Sequence, residues 1–86
     1  MELLKISSSS KPKFVAGAIA AILRSSESLE IQAIGAAAVN QAVKSMAVAK
    51  VYVAADGIEL ICIPSFAQIL VGEEERTAIK FHVCAR

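Results

Sequence analysis

The chain has 86 residues, which is enough for one domain and excludes a second. Hydrophobic residues make up 56% of it and aromatic residues only 5%, so we expect an aliphatic core and, because so small a chain cannot bury this much apolar surface alone, an oligomer. Residues 1–50 carry six basic and three acidic groups (+3) and the remainder three and five (−2), so a polyanion would prefer the first half.

Uncharged segments are too short for a membrane-spanning helix. The longest, residues 14–23, 31–43 and 60–72, all fall below the roughly 18 residues that a span needs. The first residues show no signal-peptide pattern, so we expect a cytoplasmic protein whose two cysteines are reduced thiols.

Six segments have the periodicity of regular elements. In chain order they are a strand at 3–7, a helix at 12–26, a strand at 29–35, a helix at 36–55, and strands at 58–65 and 76–84. Pro12 suits a first helical turn, and the second helix is rich in alanine and free of Gly and Pro. Residues 66–75 continue the last two strands into a projecting hairpin with Gly72 and Glu73 near its tip.

The order βαβαββ predicts an α+β fold of a single domain. With right-handed crossovers, both helices lie on one face of a four-stranded mixed sheet and the other face stays open. On the second helix we expect the sheet-facing side to consist of Val39, Val43, Met46, Ala47 and the stem of Lys50. Its polar side would then consist of Asn40, Gln41, Lys44 and Ser45.

The pairing of the last two strands decides where the thiols lie. If the numbers of paired residues sum to about 146, Ile63 lies opposite Val83 under the helices, and Cys62 lies opposite Cys84 on the open face. His82 would join the two thiols there as a third candidate zinc ligand. The spacing matches no familiar zinc module and buried thiols are common, so we expect no metal and no cofactor, and a disulfide is disfavoured in a reducing compartment.

Residues suited to catalysis do not form a set. The sole histidine lies in a predicted strand, and the acidic residues 73–75 cluster at the hairpin tip instead of pairing across a cleft. We therefore expect a protein that is not an enzyme, with the acidic tip as a solvated turn.

Of the local sequence features, the loop at residues 7–13 is the strongest indication of a binding site. Four serines followed by Lys11, Pro12 and Lys13 bring hydroxyls, two ammonium groups and a helix N-terminus together, where phosphate oxygens are favoured. A serine loop that only caps the helix fits these residues equally well. Lys44 and Lys50 extend this basic surface along the second helix or simply solubilise that helix. The scarcity of aromatic residues argues against a reader of single-stranded bases.

Several blocks of sequence resemble one protein family. They are VAGAIA at 15–20, EIQAIGA at 30–36, VNQAVK at 39–44, LICIP at 60–64 and EERTAIK at 74–80. Together they run nearly end to end and resemble stage V sporulation protein S. The resemblance implies a small cytoplasmic bacterial protein of spore development.

That family is in turn similar to Alba, the archaeal chromatin protein, which has the same βαβαββ order. The similarity implies a dimer that binds DNA or RNA through the loop before the first helix, the beginning of the second helix and the hairpin arm. In this chain these elements fall on Lys11 and Lys13, on residues 35–44 and on residues 66–76.

Two departures from Alba reduce the expected number of phosphate contacts. Ile34 and Ala36 stand where Alba has arginines, and the acidic residues 73–75 occupy the arm. We still expect sequence-independent nucleic-acid binding by a homodimer, since no set of side chains able to read base edges is present. The candidate phosphate contacts are Lys11, Lys13, Lys44, Lys50 and Arg76.

Two other functions fit the same residues. In the first, the acidic hairpin and the open sheet face recruit a protein partner in spore development and no nucleic acid is bound. In the second, more distant one, Cys62 and Cys84 form a small metal or thiol redox site.

Overall fold

The computed structural model describes residues 2–26 and 28–86. Its elements are β1 (Glu2–Ile6), α1 (Pro12–Ser25), β2 (Ser28–Ala33), α2 (Ala36–Ala54), β3 (Leu60–Val71) and β4 (Glu74–Ala85). The sheet has the order β1-β2-β4-β3, with β1 parallel to β2 and the other neighbours antiparallel. The predicted α+β class, the βαβαββ order and the mixed sheet are confirmed, and they agree with the similarity to Alba.

Local sequence sets where the helices begin and end. Pro12 is the first residue of α1, where its missing N–H costs no hydrogen bond. After α2 the chain turns in a Schellman motif, in which Gly57 donates to the Ala54 carbonyl and Ile58 donates to the Val53 carbonyl. Neither described helix has the length and hydropathy that crossing a bilayer requires.

The core lies between the two helices and one face of the sheet. Residues in β2 alternate between buried and half-buried, as expected for a central strand covered by helices on one side. The core is aliphatic, as predicted, and its largest fully buried apolar side chains are Ile19, Leu29, Ile31, Val53 and Val83.

The buried side of α2 differs from the prediction. This helix buries Ala38, Ala42, Ser45, Met46, Ala49 and Val53. Val43, Ala47 and Lys50 were expected against the sheet and are exposed. The reason is that α2 packs mainly on α1, and alanines at that contact let the two helices approach closely. Ser45 is tolerated there because its hydroxyl donates to the Gln41 carbonyl at 2.7 Å.

The predicted register of the last two strands is wrong by one residue. Cys62 pairs with Val83, and Ile61 pairs with Cys84, so the paired numbers sum to 145. The cause is the turn: Val71 pairs with Glu74, which leaves a two-residue loop that fixes the register. Gly72 opens this loop at a φ of +66°, a conformation that favours glycine.

The corrected register separates the two thiols. Directly paired residues share a face, so Cys62 lies on the same side as the buried Val83, whereas Cys84 lies on the open face. Cys62 is nevertheless exposed, because β3 is an edge strand that the helices do not cover there. Within residues 2–26 and 28–86, no cluster of three potential metal ligands occurs, so the converging site of Cys62, His82 and Cys84 is not formed.

The hairpin of β3 and β4 projects beyond the helices as an arm. The arm is defined here as residues 65–80, and it contributes to a longest molecular dimension of 43 Å. Phe66 and Leu70 are exposed on it, and Pro64 lies in β3 just before it. Proline has no N–H to donate to a sheet, which fits a strand at the edge.

Candidate nucleic-acid interface

The serines of the loop between β1 and α1 bond to one another. The Ser7 N–H donates to the Ser10 hydroxyl at 2.9 Å, and the Ser10 N–H donates to the Ser7 carbonyl at 3.1 Å. The Ser9 N–H donates to the Ser7 hydroxyl at 3.3 Å. The residue that caps α1 is Lys11, which makes no capping hydrogen bond with its side chain. The loop is therefore a folded turn, and the interpretation of its serines as helix caps is wrong.

Gln41 of α2 holds this loop in place. Its Nε2 atom donates to the Ser10 carbonyl at 2.8 Å in a partly buried position. Lys44 lies three residues further along α2 and therefore on the same side of the helix as Gln41. The bond thus brings the loop that carries Lys11 next to the side of α2 that carries Lys44. Sequence reasoning placed Gln41 on a polar surface and missed this role, because no local pattern signals a contact 31 residues away.

Lys11, Lys13 and Lys44 are the candidate cations around the loop. All three side chains are exposed. The first turn of α1 contains no acidic residue, so the partial positive charge of its N-terminus is not offset there. The Val15 N–H donates the first α-helical bond of α1, to the Lys11 carbonyl, and the Lys13 N–H has no partner among the described backbone groups.

The other two candidate residues lie elsewhere. Lys50 follows Lys44 by six residues and Gln41 by nine, which turns it about 120° around α2 from Lys44 and about 180° from the loop-facing Gln41. Arg76 lies on the arm, and its Nε atom is 3.8 Å from a Glu74 carboxylate oxygen with both side chains exposed. The Gln41–Ser10 bond thus places the loop that carries Lys11 beside the side of α2 that carries Lys44, whereas Lys50 and Arg76 lie on other surfaces.

Ion pairing divides the cations of the chain into two groups. Within the described residues, the four salt bridges use Arg24, Arg76, Lys80 and Arg86. The remaining cations have no carboxylate partner in that part of the chain, and they are Lys5, Lys11, Lys13, Lys44 and Lys50. All five belong to the first 50 residues, so the positive half of the sequence keeps its charge available to an outside partner.

A comparison of the chain with models of known protein families identifies the family to which it belongs. A family model described as stage V sporulation protein S matches residues 2–86. The chain belongs to the stage V sporulation protein S family. Membership confirms the resemblance carried by the sequence blocks, and it implies a protein associated with sporulation.

This family member also exposes large apolar side chains on the arm, on α2, on the open face of the sheet and, at Phe14, on α1. Phe66 and Leu70 on the arm are 77% and 73% exposed, and Val51 on α2 is 71% exposed. On the open face of the sheet, Ile63 is 57% exposed and Leu3 is 45% exposed. Exposed patches of large apolar side chains commonly mark sites of contact between proteins.

The beginning of α2 in this family member lacks the cations that Alba has. Ala36 is exposed and Ile34 is half-buried, on either side of Gly35. Gly35 adopts a φ of +88° and has no side chain to cap the helix. Contacts at this point would therefore come from backbone N–H groups instead of guanidinium groups.

Proposed function

We propose that this member of the stage V sporulation protein S family binds nucleic acids as a homodimer, without reading their sequence and without catalysing a reaction. The observation that carries the proposal is the group of lysines around the loop, Lys11, Lys13 and Lys44, which form no salt bridge within the described residues. Phosphates are the ligands that such a surface attracts, because ammonium groups and helix N-termini both favour negative charge.

The chemistry of these side chains supports contact with the phosphate backbone. Lysine is a flexible point charge that suits phosphate contacts, whereas arginine has the rigid planar fork that suits bidentate readout of base edges. The glutamine at this surface, Gln41, already donates to the Ser10 carbonyl. Affinity would then depend on charge and salt, and little on base sequence.

The exposed apolar surfaces support self-association. Val43, Ala47 and Val51 follow one another at four-residue spacing and form an exposed apolar stripe on α2. Phe66 and Leu70 add exposed apolar area on the arm. A second copy covering these side chains would bring a second set of loop lysines to the same nucleic acid.

Salt titration tests the proposal. Fluorescence anisotropy would measure the affinity for duplex DNA and for duplex RNA between low and moderate salt. With three lysines per protomer and two protomers, we expect the logarithm of affinity to fall with that of salt at a slope of about −5, at ~0.9 per phosphate contact. The variant Lys11→Ala/Lys13→Ala removes four of the six contacts and should reduce the slope to about −2.

A matched control separates specific contacts from net charge. The variant Arg24→Ala/Arg86→Ala also removes two positive charges per protomer, but from groups already paired with Asp56 and Glu59. For this variant, the slope of the logarithm of affinity against that of salt should remain close to the value for the unmodified protein. The proposal fails if no complex forms at the lowest salt, or if the two double variants bind equally.

Light scattering at micromolar concentration tests the dimer, whose mass should fall toward that of the monomer in Val51→Asp.

A second candidate function is a protein-interaction module. It is favoured by the exposed Ile63 and Leu3 on the open face and by the exposed acidic residues 73–75 on the arm. Both surfaces would be used without nucleic acid. A folded dimer that shows no binding to DNA or RNA at low salt would favour this function over the first.

A further inference from the structure

A groove opens between the C-terminal ends of β1 and β2, the beginning of α2 and the arm. Its volume is about 510 Å³, which lies within the ~300–1,000 Å³ typical of small-molecule sites. The groove is distinct from the loop surface of Lys11, Lys13 and Lys44, none of which lines it. It has a polar part and an apolar part, and each part indicates one half of a ligand.

The polar part suits an anion. Lys5 and Gln32 are directly paired residues of β1 and β2, so their side chains share one face of the sheet. Within the described residues, Lys5 makes no ion pair and the Gln32 amide makes no side-chain hydrogen bond. Ser8 adds a hydroxyl, and no described carboxylate lines the groove. A cation and an amide donor without partners are what a carboxylate or phosphate head requires.

The apolar part excludes a bare inorganic ion as the best ligand. Ile34 and Ile69 are half-buried and line the groove together with the first alanines of α2. Ile69 belongs to the arm and Ile34 to the chain before α2, so an apolar group between them would be held from two elements. A ligand that fills this part buries apolar surface that would otherwise remain in water.

We propose that this groove binds a small amphipathic anion, namely a carboxylate or phosphate monoester with a compact apolar body. The head lies at Lys5 and Gln32, and the body lies between Ile34 and Ile69. The beginning of α2 adds backbone N–H groups near the head, since Gly35 leaves them uncapped. This site does not depend on nucleic-acid binding, because its cation, Lys5, is not one of the lysines of the loop surface.

NMR titration of the purified dimer or monomer tests the site. The probes are hexyl phosphate and hexanoate, and the half-ligands for comparison are inorganic phosphate and hexanol. We expect amide shifts confined to the residues that line the groove, which are 5–8, 32, 34–38 and 69. At least one amphipathic probe should bind about tenfold more tightly than either half-ligand. Lys5→Met should weaken that probe by about tenfold or more, because a hydrogen bond to a charged group is lost. Lys50→Met removes another exposed lysine, which does not line the groove, and should leave the binding unchanged.

Three results would overturn the proposal. One is inorganic phosphate alone producing the same shifts with the same affinity, and another is hexanol binding as well as hexyl phosphate. The third is unchanged binding in Lys5→Met. If that variant does not fold, Ile69→Ser on the exposed arm provides the alternative, and it should reduce the affinity for hexyl phosphate toward that for inorganic phosphate. No nucleic acid is present, so failure here is independent of the anisotropy result.

Discussion

Replacing Gln41 by methionine tests how the loop is held. The change removes the Nε2 donor that bonds the Ser10 carbonyl at 2.8 Å. Methionine has a similar length and helix propensity to glutamine, so packing and helix formation change little. The bond from the Ser45 hydroxyl survives, because it is accepted by the backbone carbonyl of residue 41.

The expected loss follows from the surroundings of this bond. A neutral hydrogen bond contributes about 0.5–1.5 kcal/mol. Ser10 is half-buried, so water can reach its carbonyl in the variant and limit the penalty. We expect the free energy of unfolding to fall by about 1 kcal/mol, which lowers the midpoint temperature by roughly 4–8 °C in a domain of this size. Gln41→Glu should lose more at neutral pH, because a carboxylate cannot donate to a carbonyl.

Thermal and urea unfolding measure this difference, and amide hydrogen exchange locates it. Exchange should accelerate in residues 7–11, while the core of β2 stays protected under native conditions. Asn40→Met is the matched control, since Asn40 is exposed on the same helix and its side chain bonds no described residue. The reasoning is refuted if Gln41→Met is no less stable than Asn40→Met, or if exchange in the loop is unaltered.

Three further changes test the fold. Leu29→Ala in the central strand, where the side chain is fully buried, should lower the free energy of unfolding by about 2–5 kcal/mol in urea titration. Gly35→Ala should cost about 1–3 kcal/mol in the same assay, because the φ of +88° strains any residue with a Cβ although nothing obstructs that atom. Mild oxidation should produce no disulfide within one chain between Cys62 and Cys84, and an intact-mass loss of two hydrogens in the monomer would contradict the register.

The order of elements was predictable because each one has its own signal. Pro12 marks the start of α1, alanine enrichment marks α2, and alternation marks the strands. The register of β3 was harder to predict, since its alternation carries no contrast: Ile61 and Ile63 on one face are as apolar as Leu60 and Phe66 on the other. The signal that could have found it was Gly72 beside Glu73, because a two-residue loop there allows only one pairing.

The sequence identified which residues could contact phosphate, but it predicted only in part which of them lie near one another in the fold. Lys11 and Lys13 are two residues apart, so their proximity could be predicted without knowing the tertiary structure. The Gln41 bond brings their loop beside the side of α2 that carries Lys44, and its acceptor, the Ser10 carbonyl, lies outside that helix. Lys50 was grouped with them only as a further basic residue along α2, whereas the helical rotation of about 120° from Lys44 puts it on a different side of the helix.

Pro64 has a consequence for how copies of this chain associate. An edge strand of 12 residues presents a long row of backbone groups, on which another strand can add itself and seed fibrils. Proline removes one donor from that row, and its ring keeps an incoming backbone at a distance. The edge is thereby split into segments of four and seven residues, which are poorer templates for uncontrolled growth. Copies of the chain can therefore still associate through exposed side chains, whereas extension of the sheet by hydrogen-bonded addition of strands to β3 is disfavoured.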